Sequence, residues 1–349
     1  MNKVNKAETS IRLPKSLGEP HSGKVRDSYN IEKGKLLVVT SDRISALDII
    51  LNPGIPGKGV VLSQLSNFWM GKLAKLGIPN HLIDTDIDSI ARAYPDLAPH
   101  KEALRNRVAL VRKLEMLPIE AIVRGHLTGS VLKKDANGKS DYDAEAGTLF
   151  DHAIGRNIKP ESRLETPIYT PSTKAESGFH DKNISRTRAA EIIRSSGFSA
   201  ETARKAEQLA VAIFSAAREH AAEKSIILAD TKLEFGIDEE ENRKGNEAVI
   251  LGDEALTPDS SRFWDADDYI EAFAAGREPK SFDKQPVRDF LTKEEKEGRW
   301  NGKSQPTLPD IVVDATVDRY IDAFFKLAGE DFNPSATEQL LDIKKQYSR

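Results

Sequence analysis

Three charged residues alternate along a short run of otherwise β-forming residues. They are Asp230, Lys232 and Glu234, in the segment ADTKLEFGI (229–237). Because side chains alternate between the two faces of a strand, these three share one face and the apolar residues between them take the other. Two carboxylates and an ammonium on one face predict a site for a metal ion and a phosphate. A merely solvated face is the alternative, and it is weakened because Asp and Lys are poor strand formers.

Two further carboxylate residues, Asp253 and Glu254, follow later in the chain. The segments 225–237 and 247–254 flank the charged stretch DEEENRKGN, which predicts a β-hairpin whose return strand ends in Gly252-Asp253-Glu254. Magnesium in proteins usually takes one or two carboxylates, several waters and the phosphates of a substrate. A carboxylate at the end of the return strand can therefore complete a magnesium site.

The segment GEPHSGKV (18–25) nearly matches a phosphate-binding P-loop. Val25 replaces the hydroxyl that would bind magnesium, and no buried strand precedes the segment, so a P-loop is rejected. What remains is a glycine-bearing turn with Lys24 leading into a strand, a form whose backbone N–H groups can cover phosphates as in kinases. The alternative is a loop whose glycines only provide positive φ angles.

Three further segments combine small hydroxyl residues, arginine and aspartate. They are 41–45 (SDRIS), 124–130 (RGHLTGS) and 259–262 (DSSR). Arginine can bind phosphate or carboxylate through two parallel hydrogen bonds, and Ser130 is predicted near the start of a short helix, where free N–H groups favour anions. Each segment alone is also compatible with a helix cap or a surface ion pair.

Composition excludes several classes of protein. The 349 residues contain 51 lysines and arginines against 55 aspartates and glutamates, so no basic excess favours nucleic-acid binding. The absence of cysteine excludes disulfides, thiolate nucleophiles and cysteine-based metal sites, and it favours a cytosolic protein. The seven histidines form no HExxH motif, and no apolar run is long enough to span a bilayer.

The predicted elements that would carry these residues begin with a hairpin over residues 24–42 and an amphipathic helix over 60–76. Strands over 107–114 and 119–125, joined by a turn at Leu117-Pro118, are expected to extend the sheet of that hairpin. Residues 133–183 are rich in Gly, Pro, Asp, Ser and Thr, and they are interpreted as a long loop region between two lobes.

The second half of the chain is predicted to alternate helices with the hairpin already described. Helices are expected over 185–195 and 199–224, the latter with an apolar stripe that packs on a sheet. The C-terminal part is predicted to be helical, and Ser335 with Glu338 is interpreted as the capping box of the last helix. The expected division is 1–132, an active-site loop region at 133–184, and 185–349.

Taken together and in order, the motifs resemble the SAICAR synthetase family, and the match extends from about Gly23 to Leu291. They are GKVRDSY, SDRISALD, PGIPGKGVVLSQLSNFW, VRGHLTGS, PIYTPSTKA, LADTKLEFG, LGDEALTPDSSRFW and FDKQPVRDFL. The resemblance implies an α+β fold with an N-terminal antiparallel-sheet lobe, a second nucleotide-binding lobe similar to ATP-grasp enzymes and kinases, and C-terminal helices.

The resemblance also implies roles for the residues of these motifs. Asp230 and Lys232 are implied to be catalytic, and Glu234 and Asp253 to bind Mg²⁺. ATP is implied to contact Gly23, Lys24, Val25, Arg26, Lys232 and Glu234. The ribonucleotide substrate is implied to contact Ser41, Asp42, Arg43, Ser45, Arg124, Ser130, Asp259 and Arg262. No residues are assigned to aspartate.

The implied reaction is an ATP-dependent ligation in purine biosynthesis. It joins L-aspartate to the carboxylate of carboxyaminoimidazole ribonucleotide (CAIR) and gives SAICAR, ADP and phosphate. Its partners would be these small molecules rather than nucleic acid or membrane, and the protein would be a monomer or a small homo-oligomer. Two alternatives use the same motifs: a small-molecule kinase, and a nucleotide-binding protein without catalysis.

Overall fold

The computed structural model describes residues 6–47, 49–135, 137–174, 181–245, 247–302 and 304–347. Within these ranges no helix is long and apolar enough to cross a membrane. In chain order the strands are β1 (His21–Ser22), β2 (Arg26–Glu32), β3 (Lys35–Thr40), β4 (Ile44–Ala46), β5 (Ile49–Leu51), β6 (Leu82–Asp84), β7 (Val108–Arg112), β8 (Leu114–Met116), β9 (Ile119–His126), β10 (Tyr142–Asp143), β11 (Thr148–Leu149), β12 (His152–Ala153), β13 (Arg163–Tyr169), β14 (Ser172–Thr173), β15 (Ile226–Asp238), β16 (Val249–Gly252) and β17 (Ser261–Asp265).

Helices occur between the strands along the chain and make up most of the C-terminal part. They are α1 (Lys58–Lys75), α2 (Ile87–Ala93), α3 (Lys101–Leu104), α4 (Arg186–Ser195), α5 (Ala200–Ala222), α6 (Glu239–Arg243), α7 (Ala266–Ala275), α8 (Gln285–Lys296), α9 (Asp310–Leu327) and α10 (Pro334–Tyr347). Three short 3₁₀ turns occur at Lys15–Leu17, Pro95–His100 and Gly129–Leu132.

The first sheet has five antiparallel strands in the order β1-β2-β3-β7-β6. Its centre is the predicted hairpin, in which Ser28 pairs with Val38. The glycine turn lies at the start of this hairpin, where Gly23 donates a backbone hydrogen bond to the Arg26 carbonyl. The hairpin prediction is therefore confirmed.

The second sheet is built around β15, which is long enough to pair with four other strands. It pairs antiparallel with β9, β17, β16 and β8. The predicted hairpin of β15 and β16 is confirmed, and its register places Glu234 opposite Gly252. The charged face of β15 and the end of β16 are thereby adjacent.

The expectation that both strands after residue 107 extend the first sheet is wrong for the second of them. Strand β7 pairs with β3, but β9 pairs with β15 in the other sheet. The chain changes sheets between Lys113 and Leu114. The Lys113 N–H still bonds to the Gly34 carbonyl beside the first sheet, whereas Leu114 pairs with Asp238 of the second sheet. Almost every residue of β9 is buried, and a strand covered on both faces belongs in a sheet interior.

The interpretation of residues 133–183 as loop is also wrong in part. A small antiparallel sheet forms from β10, β11 and β12, and β13 pairs with β9 at the edge of the second sheet. Strand β13 contains Pro167 and a register shift between Arg163 and Ile168. An edge strand tolerates proline and a bulge, and both obscure the alternation that identifies a strand.

Helix boundaries follow their capping residues. Ser185 and Ser199 accept backbone N–H bonds at the starts of α4 and α5, as the predicted helices require. The predicted capping box of the last helix is wrong, because Asn333 accepts the Ala336 N–H and Ser335 lies inside α10. The Ser335 hydroxyl instead accepts a hydrogen bond from Asn106.

Buried apolar side chains form one large cluster and two smaller ones. The large cluster contains Trp69 of α1, Phe214 of α5, Phe235 of β15 and Phe324 of α9, so α1 packs in the same core as the C-terminal helices. A separate cluster lies under the first sheet and includes Leu37. The stripe predicted on α5 is buried in the large cluster, which confirms its packing role. The division into 1–132, 133–184 and 185–349 stays a prediction.

Candidate active site

An open cleft of about 920 Å³ lies where the glycine turn, the charged face of β15 and the start of α8 meet. Most of the residues that the sequence motifs select line this cleft. They are Gly23, Lys24, Val25, Arg26, Ser45, Lys232, Glu234, Asp253, Asp259 and Arg262. The fold thus brings together segments that lie more than two hundred residues apart in the chain.

The predicted two faces of β15 are present. Leu233, Phe235 and Ile237 are buried in the large core cluster, and Lys232 and Glu234 face the cleft. Lys232 Nζ donates a 2.7 Å hydrogen bond to Glu120 of the neighbouring strand β9. Burial lowers the pKa of Lys232, but the attraction of Glu120 and Glu234 outweighs burial and raises it overall, so the ammonium stays protonated near neutral pH.

Each of the two predicted metal-binding carboxylates contacts a cationic side chain. Glu234 Oε2 lies 2.6 Å from Lys174 Nζ, and Asp253 Oδ2 lies 2.8 Å from Arg26 Nη2. Arg26 also contacts Glu254 at 3.1 Å. The strand that leaves the glycine turn is therefore tied to the end of β16 by two ion pairs.

A buried carboxylate holds two arginines side by side. Asp230 Oδ2 accepts hydrogen bonds from Arg124 Nη1 at 2.5 Å and from Arg262 Nη1 at 2.9 Å. Arg124 Nη2 also donates to the Ser130 hydroxyl at 3.2 Å. The five side chains Arg124, Ser130, Asp230, Asp259 and Arg262 line one small cavity of about 170 Å³. Two guanidinium groups and a hydroxyl around one cavity suit an anion such as phosphate.

Gly129 fits closely under the Arg262 guanidinium. It has φ +82°, and a Cβ added there would lie only 2.0 Å from Arg262 Nη1. It opens the short 3₁₀ turn Gly129–Leu132 that carries Ser130, as the sequence predicts for a short helix near that serine. Glycine is therefore needed here both for its backbone conformation and for the close approach of the arginine.

Asp259 is held from behind the cleft. Its Oδ2 accepts a 2.6 Å hydrogen bond from Lys58 Nζ, and its Oδ1 accepts a 2.5 Å hydrogen bond from the Tyr320 hydroxyl. Burial alone would raise the pKa of Asp259, but Lys58 and Lys284 outweigh burial and hold that pKa well below its usual range. Asp259 is a carboxylate at any physiological pH.

Three predicted substrate-binding residues, Ser41, Asp42 and Arg43, line neither the cleft nor the small cavity. Asp42, which is 1% exposed, accepts hydrogen bonds from the backbone N–H groups of Gly57 and Gly59 and from Arg107. Ser41 donates to the Val25 carbonyl. In the structure Asp42 caps the start of α1 and Ser41 fixes the backbone that follows the glycine turn, and their assignment to the substrate stays a prediction.

Arg43 is the third of these residues. Two of its guanidinium nitrogens lie 2.9 and 3.1 Å from the carboxylate oxygens of Asp27. The same guanidinium donates to the backbone carbonyls of Gly23 and Lys24. Arg43 thus supports the glycine turn from outside the cleft, and Ser45 is the residue of this motif that reaches the cleft.

Comparison with known proteins matches these motifs to a single family. The family model described as SAICAR synthetase matches residues 19–305. The chain belongs to the SAICAR synthetase family. A phosphoribosylaminoimidazole-succinocarboxamide synthase from Syntrophotalea carbinolica is 43% identical over 310 residues, covering 88% of this chain and 94% of the relative. One from Candida maltosa is 41% identical and covers 92% of this chain and 98% of the relative.

Solved structures agree with the sequence comparison. The SAICAR synthase from Saccharomyces cerevisiae, solved in complex with SAICAR, superposes with a TM-score of 0.74 at 39% identity. The alignment covers 92% of this chain and 98% of that one. The predicted α+β fold, with antiparallel sheets, C-terminal helices and the ATP-grasp-like architecture of SAICAR synthetases, is confirmed.

Several residues in or directly behind the cleft of this SAICAR synthetase family member were not predicted from its sequence. Lys58, Glu120, Lys174 and Tyr320 each contact a predicted site residue, and Lys284 and Arg288 line the cleft. Lys58 lies in the motif PGIPGKG, which resembles a motif of the family. The motif does not indicate which residue the lysine contacts. Tyr320 follows the helical apolar pattern of α9, so its type and spacing indicate only core packing.

The cleft contains two carboxylates that are candidates for binding magnesium, Glu234 and Asp253. Among the residues that the structure describes, no group of three or more His, Asp or Glu side chains converges as a complete metal site. Glu234 nevertheless pairs with Gly252, the residue before Asp253, and both carboxylates line the cleft. Two carboxylates are the set expected when substrate phosphates and waters supply the other ligands, so these residues fit magnesium.

Proposed function

We propose that this chain is an ATP-dependent ligase that joins L-aspartate to the carboxylate of CAIR and produces SAICAR, ADP and phosphate. The observation that carries the proposal is that the glycine turn and the charged face of β15 line one cleft. The small cavity lined by Arg124 and Arg262, here called the arginine cavity, shares Lys232, Asp259 and Arg262 with that cleft. Family membership and relatives that bear the name of this activity support it over the kinase and non-catalytic alternatives.

ATP is proposed to occupy the side of the cleft formed by the glycine turn and β15. Gly23, Lys24, Val25 and Arg26 would face its phosphates from one side, and Lys232 from the other. Glu234 and Asp253 would hold Mg²⁺, which supplies charge neutralisation at the phosphates when bound. Lys232 is suited to stabilise the transferring phosphoryl group because its ammonium is fixed by Glu120 and stays protonated.

The ribonucleotide is proposed to place its 5′-phosphate in the arginine cavity. Arg124, Arg262 and Ser130 supply the donors there. Asp230, expected from the resemblance to be catalytic, accepts from both arginines through one oxygen, so we assign it the role of holding them in position. Asp259 and Ser45 also line the large cleft.

The proposed chemistry has two steps. A carboxylate oxygen of CAIR attacks the γ-phosphorus of ATP, the bond to the bridging oxygen breaks, and ADP leaves. The α-amine of aspartate, in its neutral form, then attacks the acyl carbon, and phosphate leaves with the former carboxylate oxygen. Positioning and charge neutralisation account for the catalysis, and no covalent protein nucleophile is needed.

We place this reaction in the cytosol, which the cysteine-free composition favours, in a monomer or a small homo-oligomer. The test of function is an omission assay with the purified protein, in which SAICAR is quantified by chromatography. SAICAR should form only when ATP, Mg²⁺, CAIR and L-aspartate are all present. A phosphorylated product that forms without aspartate would identify a kinase instead.

A further inference from the structure

Lys58 is a lysine whose charged group is enclosed by the protein behind the active-site cleft. The residue is 0% exposed, and its Nζ lies 2.6 Å from Asp259 Oδ2. Asp259 lines the cleft, whereas Lys58 lies outside the lining. A buried ammonium is unfavourable unless it is paired, so this lysine is bound to Asp259 and is not available to a ligand.

Tyr320 completes the support from the other side of the carboxylate. It is 1% exposed, lies on α9, and donates a 2.5 Å hydrogen bond to Asp259 Oδ1. Lys58 Nζ also lies 5.5 Å from the centre of the Tyr320 ring, a cation–π distance. Both oxygens of Asp259 are therefore fixed by side chains from two different helices.

The position of Lys58 is itself fixed at the start of α1. Lys58 is the first residue of that helix, and the preceding Gly57 has a left-handed conformation with φ +78°. Asp42 accepts the N–H groups of Gly57 and Gly59 on either side of Lys58. The SDRIS motif thus acts on the cleft indirectly, through the helix start that carries the lysine.

The acceptor sites that remain on Asp259 define what it can recognise. An ionised carboxylate has about four acceptor positions. Lys58 and Tyr320 use one on each oxygen, and Lys284 Nζ lies farther away, 3.9 Å from Oδ1. A negative group repels phosphate, so it selects a hydrogen-bond donor. Asp259 shares the small cavity with Arg124 and Arg262, and the donors nearest the 5′-phosphate of a ribonucleotide are its ribose hydroxyls.

We propose that Lys58 and Tyr320 are positioning residues for the ribonucleotide. They act through Asp259, which they hold as a fixed anionic acceptor for a ribose hydroxyl. This inference rests on the proposed function, because it requires that CAIR occupies the arginine side of the cleft. Neither residue touches substrate, so their removal changes the placement of Asp259 rather than the groups that contact ATP.

The test compares Tyr320→Phe and Lys58→Met with the wild-type enzyme in steady-state assays that vary CAIR and ATP separately. We expect the KM for CAIR to rise about tenfold in each variant, because each loses one hydrogen bond that fixes a charged group. The KM for ATP should change less than about twofold. Tyr94→Phe is the matched control, because it removes a tyrosine hydroxyl that donates to Glu32, whose carboxylate lies outside the cleft lining.

A double-variant comparison separates positioning from general destabilisation. If Tyr320 acts through Asp259, adding Tyr320→Phe to Asp259→Ala should change the KM for CAIR little beyond the effect of Asp259→Ala alone, because alanine leaves no acceptor for the tyrosine hydroxyl. Additive effects, or equal rises of both KM values, would overturn the inference. If Lys58→Met does not give folded protein, Tyr320→Phe and the double variant decide the question.

The same measurements distinguish failure of this inference from failure of the proposed function. Wild-type enzyme that forms no SAICAR contradicts the function. Wild-type enzyme that forms SAICAR, together with Tyr320→Phe variants whose KM for CAIR is unchanged, contradicts only the positioning role.

Discussion

Arg26 Nη2 lies 2.8 Å from Asp253 Oδ2, so the strand that leaves the glycine turn is bound to the end of the proposed metal hairpin. The two residues are 227 positions apart in the sequence. Burial lowers the pKa of Arg26, but Asp253 and Glu254 outweigh it and raise the pKa overall. The Arg26 guanidinium therefore stays charged, and the pair places it beside the Asp253 carboxylate where ATP phosphates and Mg²⁺ are proposed to bind.

The first prediction concerns the two proposed magnesium ligands. Glu234→Gln and Asp253→Asn should each reduce kcat by about hundredfold or more, since each removes an anionic ligand at a cost of ~3 kcal/mol. Asparagine suits position 253, where φ is +50°, because it tolerates the left-handed conformation. Turnover should be measured over a magnesium titration, with circular dichroism melts to check folding.

Glu240→Gln is the control for these variants, because Glu240 is an exposed residue of α6 beyond the end of β15. Its turnover and magnesium dependence should equal those of the wild type. A Glu234 or Asp253 variant with nearly normal turnover and an unchanged magnesium requirement would remove that residue from the metal site.

The second prediction concerns the arginine cavity. Arg262→Ala and Ser130→Ala should raise the KM for CAIR more than that for ATP, and the arginine loss should cost about 1.5–3 kcal/mol, roughly ten- to hundredfold in apparent affinity. Initial rates with each substrate varied in turn give both values. Equal effects on CAIR and ATP would contradict this division of the cleft.

The variants Gly129→Ala and Gly276→Ala test the same cavity without removing a charged group. Gly129→Ala places a methyl group against the Arg262 guanidinium and should raise the KM for CAIR, because the arginine must move. Gly276→Ala introduces a similar backbone strain at φ +66°, but its added Cβ meets no atom within 4 Å. Gly276→Ala should lose about 1–2 kcal/mol of stability in thermal or urea unfolding and Gly129→Ala at least as much, but only Gly129→Ala should weaken CAIR binding.

The third prediction concerns acid stability. Burial, followed by repulsion from Arg163, lowers the pKa of His126 from 6.5 to about 4. Because the folded-state pKa is the lower one, the unfolded state takes up the proton first. The contribution of neutral His126 is complete above pH 6.5 and is lost as the pH falls towards 4, by at most on the order of 3 kcal/mol.

Urea unfolding at several pH values between 7 and 4 measures this effect. His126 contacts the rings of Trp264 and Tyr269, so His126→Phe keeps an aromatic group there while removing the titration. The variant should lose less stability on acidification than the wild type. His100→Phe, at a partly exposed position, is the control, and identical pH slopes for the wild type and His126→Phe would show that His126 does not contribute.

The sequence predicts the parts of the site that depend on local alternation. Asp230, Lys232 and Glu234 share a face of one strand, and the hairpin with residues 249–252 follows from the charged loop between the strands. These features depend on neighbours in the chain and on the period of a strand. They are therefore visible before any tertiary contact is known.

The features that the sequence did not predict depend on distant partners. Asp42 has a residue type that suits both ligand binding and helix capping, and Gly57, the residue that precedes the helix it caps, lies fifteen positions later. Lys58 meets Asp259 across 201 positions, which no local pattern indicates. Likewise β9 pairs with β15 and not with the first sheet, because burial on both of its faces favours a position inside the second sheet.

In the proposed reaction the CAIR carboxylate is activated as an acyl phosphate before aspartate attacks. The most direct test of this activation uses CAIR with both carboxylate oxygens labelled with ¹⁸O, incubated with the enzyme, ATP, Mg²⁺ and L-aspartate. Mass spectrometry of the released phosphate should find one labelled oxygen for each SAICAR formed, because the bridging oxygen leaves with phosphorus. Phosphate free of label during confirmed SAICAR formation would contradict the acyl phosphate route.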